Sequence, residues 1–468
     1  MVRRLVGVLP AAAAAAFVLT AYAFFASAGT WEFRRIPVWW QTFYANQAEG
    51  FLSGQLSIAG KPEPELLALE NPYLLEQRAS LPGYMWDASL YNRKYYLYFS
   101  PVPVLLFVIP FKLVATKYPS DELTAAVFCA WAFLASVAFL WRAGMRSPLW
   151  VLLAGVGGIV PFFLLEIRVY EVAAACGLAM GATWAYTLLR FLQVPSPRTA
   201  FLMGLFLGLT IATRPNMIVL LPVALLALWK QRRRVVAFAL VPVFVIGSAY
   251  AVYNYARFGS PFETGLRYQL TAVPMQNETP CRLCNRSDLT RFFNTLMHYT
   301  VFPPKFFSVF PFVDMRFNDL DMTVSFPAIP EQVAGIAAIT PLTMLGTALG
   351  ALLLLARRAA APPPARAAVL LLAAAWIVLL ALSTCRWVTA RYSLDFYALM
   401  VLGTIVAVEH GLVFLKEAGV MTRPIRAFVV LLACYSIVTG LLLGFMGRTN
   451  AFKRMNPARF EAIEKMVR

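Results

Sequence analysis

The chain has 468 residues, of which 60% are hydrophobic and only 14% are charged, and its formal net charge is +18. A soluble domain is usually nearer half apolar and a quarter charged, so this composition excludes an ordinary soluble protein and indicates a polytopic membrane protein. The positive charge does not indicate nucleic-acid binding, because we find no nucleic-acid motif. Lysine and arginine instead gather in short loops, as they do on the cytoplasmic side of membrane proteins.

The first apolar run, 5–28, follows a basic start and ends in small residues, as a signal peptide does. Its apolar part has ~20 residues, which is long enough to span a bilayer, so we expect an uncleaved first helix. The long run 199–229 is interrupted by TRPN at 213–216 and predicts two short helices. Further apolar runs of spanning length lie at 122–141, 149–165, 171–190, 235–253, 333–356, 367–384, 392–415 and 427–446.

Clusters of Lys and Arg predict which loops face the cytoplasm. The strongest is KQRRR at 230–234, and the other basic loops are 141–147, 190–198, 356–366 and 416–426. The polar stretches between the remaining helix ends then face outside; they are 29–97, 166–171, 213–216, 254–332 and 384–392.

The segment 98–116 is apolar but contains three prolines, Pro101, Pro103 and Pro110. The first helix leads out and the run 122–141 must lead in, so both ends of this segment face outside. We therefore expect an interfacial helix that does not cross, with the aromatic and basic side chains of YNRKYYLYF before it at headgroup depth. If 199–229 were one helix, 98–116 would have to cross instead.

These patterns predict an all-α bundle of about eleven transmembrane helices, with the N-terminus in the cytoplasm and the C-terminus outside. The predicted segments are the first transmembrane helix 1–28, an extracytoplasmic loop with the interfacial helix 29–121, a transmembrane core 122–253, a second extracytoplasmic loop 254–332, C-terminal transmembrane helices 333–446 and a tail 447–468.

Polar residues outside the basic loops collect on the predicted outer side. Arg214 falls inside an apolar run, where a charge is costly unless it pairs or lines a wet cavity. It either snorkels at a helix end or binds an anion, since its planar guanidinium can hold two phosphate oxygens. Arg391 and Asp395 lie four residues apart and predict an i,i+4 pair, which is structural or leaves Arg391 to contact a phosphate.

Two acids of the first outer loop are candidate bases. Asp87 lies between Trp86 and Tyr91, and aromatic rings beside a carboxylate can hold a sugar or desolvate a base; the alternative is an ordinary aspartate at a turn. Glu49 lies on an amphipathic stretch, where the alternative is a solvated helix face. Glu166, Arg168 and Glu171 form a local ion-pair cluster or line the same site.

Cys281 and Cys284 form a CxxC in a polar loop. They are bridged or free with about equal support, and a zinc site is weakly indicated.

Several short stretches, taken in order, resemble the GT-C glycosyltransferases that use polyprenyl-phosphate sugars, which include the protein O-mannosyltransferases and the lipid A aminoarabinose transferase. The resemblance covers most of residues 1–400 and extends to a bacterial subgroup of uncertain substrate. The matching stretches are AEGFLSGQLS, WDASLYNRKYYLYFSPVPVLLFVIPF, RVYEVAAACGLAM, GLFLGLTIATRPNMIVLLP, YNYARFGSPFETGLRYQL and ARYSLDFYALMVLGT. In such enzymes an interfacial helix is expected after the first loop.

The resemblance implies transfer of a sugar from a polyprenyl-phosphate donor to an envelope glycan, lipid or protein, on the extracytoplasmic side of a bacterial inner membrane. The chain departs from the family at Gln41, which stands about where an acid is expected, so the base would be Asp87 or Glu49, or the chain would be a non-catalytic relative. No cofactor or metal is implied. The phosphate would be held by Arg214, Arg391, Arg257 and Arg267, and the sugar and acceptor by Trp86, Tyr95, Tyr96 and Glu171.

Two other classes of protein remain open. A transporter or lipid flippase would use the outer cavity for passage, but it needs polar residues on a route to the cytoplasm, and the cytoplasmic halves of the helices are dry. An envelope scaffold protein would tolerate replacement of Asp87 or Arg214.

Overall fold

The computed structural model describes residues 2–33, 43–277, 286–317, 331–356, 362–385 and 387–467. Gln41, Cys281 and Cys284 lie outside these residues. The α-helices are α1 Val2–Ala26, α2 Phe43–Leu52, α3 Pro64–Leu67, α4 Leu75–Arg78, α5 Ile109–Ala115, α6 Asp121–Arg142, α7 Pro148–Val156, α8 Val160–Leu164, α9 Val169–Gln193, α10 Pro197–Thr213, α11 Leu221–Ala227, α12 Arg233–Phe258, α13 Arg286–Thr300, α14 Ile336–Ile339, α15 Leu342–Leu355, α16 Pro363–Ser383, α17 Leu394–Glu417, α18 Thr422–Met446, α19 Ala451–Met455 and α20 Pro457–Val467.

Short helices and strands complete the fold. A π-helix, Val104–Val108, leads into α5, and 3₁₀ helices precede α11 at Pro215–Leu220 and α17 at Ala390–Ser393. Six strands form three antiparallel pairs; they are β1 Ser89–Tyr91 with β2 Lys94–Tyr96, β3 Lys305–Phe306 with β4 Val313–Asp314, and β5 Arg316–Phe317 with β6 Gln332–Val333.

Seven helices in the described part of the chain are long and apolar enough to cross a membrane. They are α1, α6, α9, α12, α16, α18, and α17 together with its preceding turn. Large apolar side chains on these helices are exposed, such as Phe244 on α12 and Leu431 on α18, and lipid is the environment in which such exposure is favourable. The chain is therefore a predominantly helical integral membrane protein, as predicted.

Helices α6 and α9 run parallel through the centre of the bundle. About halfway along both helices the indole N–H of Trp131 donates to the hydroxyl of Thr183 at 3.1 Å. At their C-terminal ends the amide of Gln193 donates to the carbonyl of Arg142 at 3.3 Å. The chain must therefore return across the depth of the bundle between α6 and α9, and it does so through α7 and α8.

The predicted single helix at 149–165 is wrong, because the chain breaks between α7 and α8 at Gly157 and Gly158. The break allows close packing: a Cβ at Gly158 would lie 2.3 Å from the Tyr397 ring, and one at Gly440 of α18 would lie 2.0 Å from the carbonyl oxygen of Val156. The run 333–356 is also divided, since Pro341 separates α14 from the 14-residue helix α15.

The run 199–229 breaks at TRPN as predicted: α10 ends at Thr213, and a 3₁₀ turn from Pro215 starts the return towards α11. Helices α10 and α12 are parallel and touch closely, since Cβ atoms at Gly204 and Gly208 would lie 1.8 Å and 3.2 Å from Ala239 and Val243. Parallel neighbours require an intervening return, which the chain from 215 to 227 supplies.

The segment after the hairpin is short, as predicted. Its helical part, Val104–Ala115, has 12 residues and is about 18 Å long, less than the ~30 Å hydrocarbon core of a bilayer. Leu105, Leu113 and Val114 are exposed on it, with 54%, 69% and 87% of their surface accessible. Lipid is a favourable environment for such exposed apolar side chains, and the interfacial position of this helix stays a prediction.

Candidate functional site

The backbone of Asp87 is held by residues 269–270, which follow α12. Its N–H donates to the carbonyl of Leu270 at 2.9 Å, and the N–H of Leu270 donates back to the carbonyl of Ala88 at 2.9 Å. A bridge between Ser89 and Gln269 continues this pairing, so residues 269–270 lie against the start of the β1–β2 hairpin. Asp87 has a φ of +67°, an unfavourable conformation that the surrounding contacts must hold in place.

The Asp87 carboxylate is nearly dry, with 6% of the residue exposed. Its Oδ2 accepts a hydrogen bond from the Tyr170 hydroxyl, and its Oδ1 accepts one from Nε2 of Gln269 at 2.8 Å. Burial raises the pKa of Asp87, while the bonds from Tyr170, Thr271 and Gln269 act in the opposite direction. A carboxylate in this environment accepts a proton more readily than one in water.

Arg391 lies on the other side of Tyr170, with its guanidinium 4.4 Å from the centre of that ring. Its Nη1 is 3.3 Å from the carboxylate of Glu331 and 3.8 Å from that of Glu171. The predicted pair between Arg391 and Asp395 is wrong, because each has a different partner. One side chain, Tyr170, therefore joins the candidate base to a buried cation.

A small cavity opens beside Arg391. Its volume is about 40 Å³, enough for water molecules but not for a sugar phosphate. Arg448, from the segment after α18, also faces it and lies 3.3 Å from Glu331. The predicted cluster of Glu166, Arg168 and Glu171 borders this region: Arg168 pairs with Glu166, and the Arg168 N–H donates to Glu171 at 3.0 Å.

Arg214 forms an ion pair with Asp395 and does not line this cavity. Its Nε and Nη2 donate to Asp395 at 2.9 Å and 2.8 Å, and Asn216 donates to the same carboxylate at 2.9 Å. The Asp395 side chain is fully buried, so this fork ties the break after α10 to the start of α17. The predicted role of Arg214 in phosphate binding stays a prediction.

The other two predicted phosphate ligands form no hydrogen bond with Asp87 among the described residues. Arg257 donates from Nη1 to the carbonyl of Leu97 at 2.7 Å and from Nη2 to Asn254 at 2.7 Å. Its guanidinium also lies 3.9 Å from the centre of the Tyr253 ring. Arg257 thus supports the chain that leads into the π-helix Val104–Val108, whereas Arg267 is exposed on a 3₁₀ turn.

The predicted sugar-binding aromatics are mostly occupied by protein. The Tyr95 hydroxyl donates to Glu63 at 2.6 Å, and the Tyr96 ring lies 5.2 Å from that of Phe258. Trp86 stacks on the guanidinium of Arg78 at 5.6 Å. Glu49, the alternative base, is exposed and accepts a hydrogen bond from Tyr118, which follows α5.

Several residues of the site were not singled out from the sequence. Arg78 is fully buried and donates to the carbonyl of Thr271 at 2.6 Å, which helps to hold the segment that pairs with Asp87. Asp121, at the start of α6, is 3% exposed, and its Oδ2 has no hydrogen-bond partner among the described residues. Asp121 could have been found from the sequence, because it is an acid at the start of an apolar run. No sequence pattern indicated Arg78.

Among the described residues, no group of three or more His, Cys, Asp or Glu side chains is arranged to hold a metal ion. No protein-family model matches the chain, and no curated protein shows significant similarity to it. The site consists of the buried acid Asp87, Tyr170 and the largely buried Arg391, at one end of a helical membrane bundle.

Proposed function

We propose that the protein is a GT-C-type membrane glycosyltransferase that moves a sugar from a polyprenyl-phosphate donor to a cell-envelope acceptor on the extracytoplasmic side of a bacterial inner membrane. One observation carries the proposal. The buried Asp87 carboxylate accepts a hydrogen bond from Tyr170, and Arg391 lies over the face of that same ring. A base and a cation one side chain apart suit attack by a hydroxyl and departure of a phosphate.

The proposed topology has eleven crossings, with Asp87 and Arg391 on the outer side. Support comes from the parallel pairs α6 with α9 and α10 with α12, each of which needs a return crossing by shorter helices. The segment after α18 contacts the chain beyond α1, since the Asn456 amide donates to the carbonyl of Ala28 at 3.0 Å. The exit ends of the first and last crossings thus lie together, as an odd number of crossings requires.

In the proposed reaction Asp87 accepts the proton of an acceptor hydroxyl. The hydroxyl oxygen attacks the anomeric carbon, and the bond from that carbon to the phosphate oxygen breaks with inversion. Its electron pair leaves with the lipid phosphate, whose growing charge Arg391 stabilises. Tyr170 orients the Asp87 carboxylate towards the acceptor. Arginine alone can stabilise such a leaving group, so the proposal needs no metal.

Among the predicted phosphate ligands, Arg391 is placed best. Arg214 already donates twice to Asp395, and Arg257 already donates to Leu97 and Asn254. Arg391 faces a cavity, and its ion-pair distances of 3.3 Å and 3.8 Å are long for charge-assisted bonds. Because the cavity is large enough only for water, we propose that the donor enters by displacing Arg391 from Glu331.

The test is transfer from a panel of radiolabelled polyprenyl-phosphate sugars into membrane extract, at matched expression. Asp87→Asn keeps the shape of the side chain and should lower transfer by about 10²–10⁴, the usual contribution of a general base. Glu49→Gln is the matched control, because it removes an exposed acid from the same loop and should leave transfer within about twofold of wild type. Arg391→Lys should lower transfer because a lysine cannot reproduce the fork.

The outcomes separate the alternatives. If Glu49→Gln abolishes transfer and Asp87→Asn does not, the base is Glu49. If well-folded wild type transfers from no donor, the enzyme proposal fails and a lipid flippase or a non-catalytic relative is tested next, by movement of a labelled polyprenyl phosphate across reconstituted vesicles.

A further inference from the structure

A second cavity lies at the tip of the β1–β2 hairpin. Its volume is about 280 Å³, close to the ~300 Å³ at which small-ligand sites begin. Lys61 lines it from the loop after α2, and Arg93 and Lys94 line it from the hairpin. Gln55 and Ser57 add polar side chains.

The charge of this cavity is uniformly positive. All three cations are exposed, and none of its lining residues is acidic. Within the described residues, Lys61, Arg93 and Lys94 have no ion-pair partner. Three unpaired cations around one concave space repel each other, so an anion between them would be stabilised.

The backbone holds Arg93 there against its preference. Tyr91 pairs with Lys94, so Asn92 and Arg93 form the two-residue turn of the hairpin, with φ angles of +47° and +58°. Turns of this type favour Asn followed by Gly, because a glycine adopts positive φ without steric cost. The chain has arginine at the glycine position, which places a guanidinium at the cavity.

The two walls of the cavity form one unit. The N–H of Ile58 donates to the carbonyl of Tyr95 at 3.0 Å, and the Tyr95 hydroxyl donates to Glu63 at 2.6 Å. The N–H of Ala59 donates to the carbonyl of Asn46 at 2.9 Å, which joins the loop to α2. The loop after α2 and the hairpin are therefore hydrogen-bonded to each other, so the three cations do not lie on independent loops.

The cavity is too far from Asp87 to hold the phosphate of a reacting donor. Four residues of extended chain separate Asp87 from Tyr91 and span roughly 13 Å, and the turn adds to this. A donor phosphate must lie within a few ångströms of the reacting carbon, so the anion that fits here is a different group.

We propose that Lys61, Arg93 and Lys94 form a phosphate-binding site at the hairpin tip, separate from the Asp87 cluster. Its ligand is a phosphate group, carried either by the headgroup of an anionic lipid or by a soluble phosphorylated saccharide. The site does not depend on the transfer reaction, and its test needs no activity.

The experiment uses the full-length protein in neutral detergent, with binding measured by native mass spectrometry. The probes are short-chain phosphatidic acid, short-chain phosphatidylcholine as the neutral comparison, and glucose 6-phosphate. The variant is Lys61→Gln/Arg93→Gly/Lys94→Gln, in which glycine suits the turn and protects the fold. The control is Lys117→Gln, an exposed lysine outside the cavity.

Wild type should bind phosphatidic acid more tightly than phosphatidylcholine, and the triple variant should lose about tenfold or more of that affinity. Lys117→Gln should stay within about twofold. Displacement of the lipid by millimolar glucose 6-phosphate supports a soluble ligand, and binding without displacement supports a lipid headgroup. Equal affinity in the wild type and the triple variant, or an equal loss in Lys117→Gln, overturns the proposal.

Discussion

Replacing Arg391 by methionine tests whether the cluster around Tyr170 is held together by charge. The change keeps most of the side-chain volume but removes the guanidinium that lies 3.8 Å from Glu171 and 3.3 Å from Glu331. Glu331 retains Arg448 at 3.3 Å. Glu171, of which 9% of the side chain is exposed, loses its nearest cation.

Removing one partner of a buried ion pair costs about 3–5 kcal/mol, because the remaining charge stays desolvated. The Arg391 side chain is 13% exposed and faces a water-sized cavity, so we take the lower end, about 3 kcal/mol. Arg448→Met is the matched control. It leaves Glu331 paired with Arg391 and should cost about 1 kcal/mol or less.

The measurement is the free energy of unfolding in mixed micelles, followed by tryptophan fluorescence as the denaturing detergent increases. Adding Glu171→Gln to Arg391→Met should restore about half of the loss or more, because the orphaned charge is then gone. The reasoning is refuted if Arg391→Met lies within about 0.5 kcal/mol of wild type, or if Glu171→Gln restores nothing.

Three further predictions concern backbone strain, helix contact and pH. Arg93→Gly should raise the unfolding free energy by about 1 kcal/mol, read from the same titration, since glycine adopts the positive φ of the turn. Gly204→Ala should lower the free energy of unfolding by about 1–3 kcal/mol, because its Cβ would lie 1.8 Å from the carbonyl oxygen of Ala239. Gly181→Ala is the control: its Cβ would meet nothing within 4 Å, so it should not lower the free energy of unfolding. Burial raises the pKa of Asp314 from 3.8 to about 6, so the folded state binds this proton more tightly than the unfolded state. The free energy of unfolding should therefore fall by about 1 kcal/mol as pH rises from about 4 to about 6. Asp314→Asn should remove that fall when unfolding is measured across this pH range.

The sequence predicted the helical membrane class, the break at TRPN and the short segment after the hairpin, because composition and apolar run length depend on nearby residues only. It mispredicted the run 149–165, where the break at Gly157 and Gly158 allows close packing against Tyr397 and Gly440, which are distant in the chain. It also paired Arg391 with Asp395 by spacing, whereas the nearest opposite charges come from other segments.

The candidate site was predicted only in part for the same reason. Asp87 and Arg391 were identified individually from their neighbours. Their connection through Tyr170, and the support of Asp87 by Gln269, depend on contacts across 83 and 182 residues of chain. No local pattern carries that information. Tyr95 is the converse case: the family resemblance implied a sugar contact for it, but the residue is buried and its hydroxyl already donates to Glu63.

The pairing of Ala88 with Leu270 bears on how the protein is made. Asp87 leaves the ribosome early, but residues 269–270, which fix it, follow about six crossings later in the proposed topology. Until residue 270 has been translocated and has folded back, the candidate base has no fixed position. In the proposed enzyme, a nascent chain that ends before residue 270 would therefore lack a positioned base. Proteolytic protection of residues 43–97 should appear only after residue 270 has been synthesised, so it would record this step of assembly during insertion.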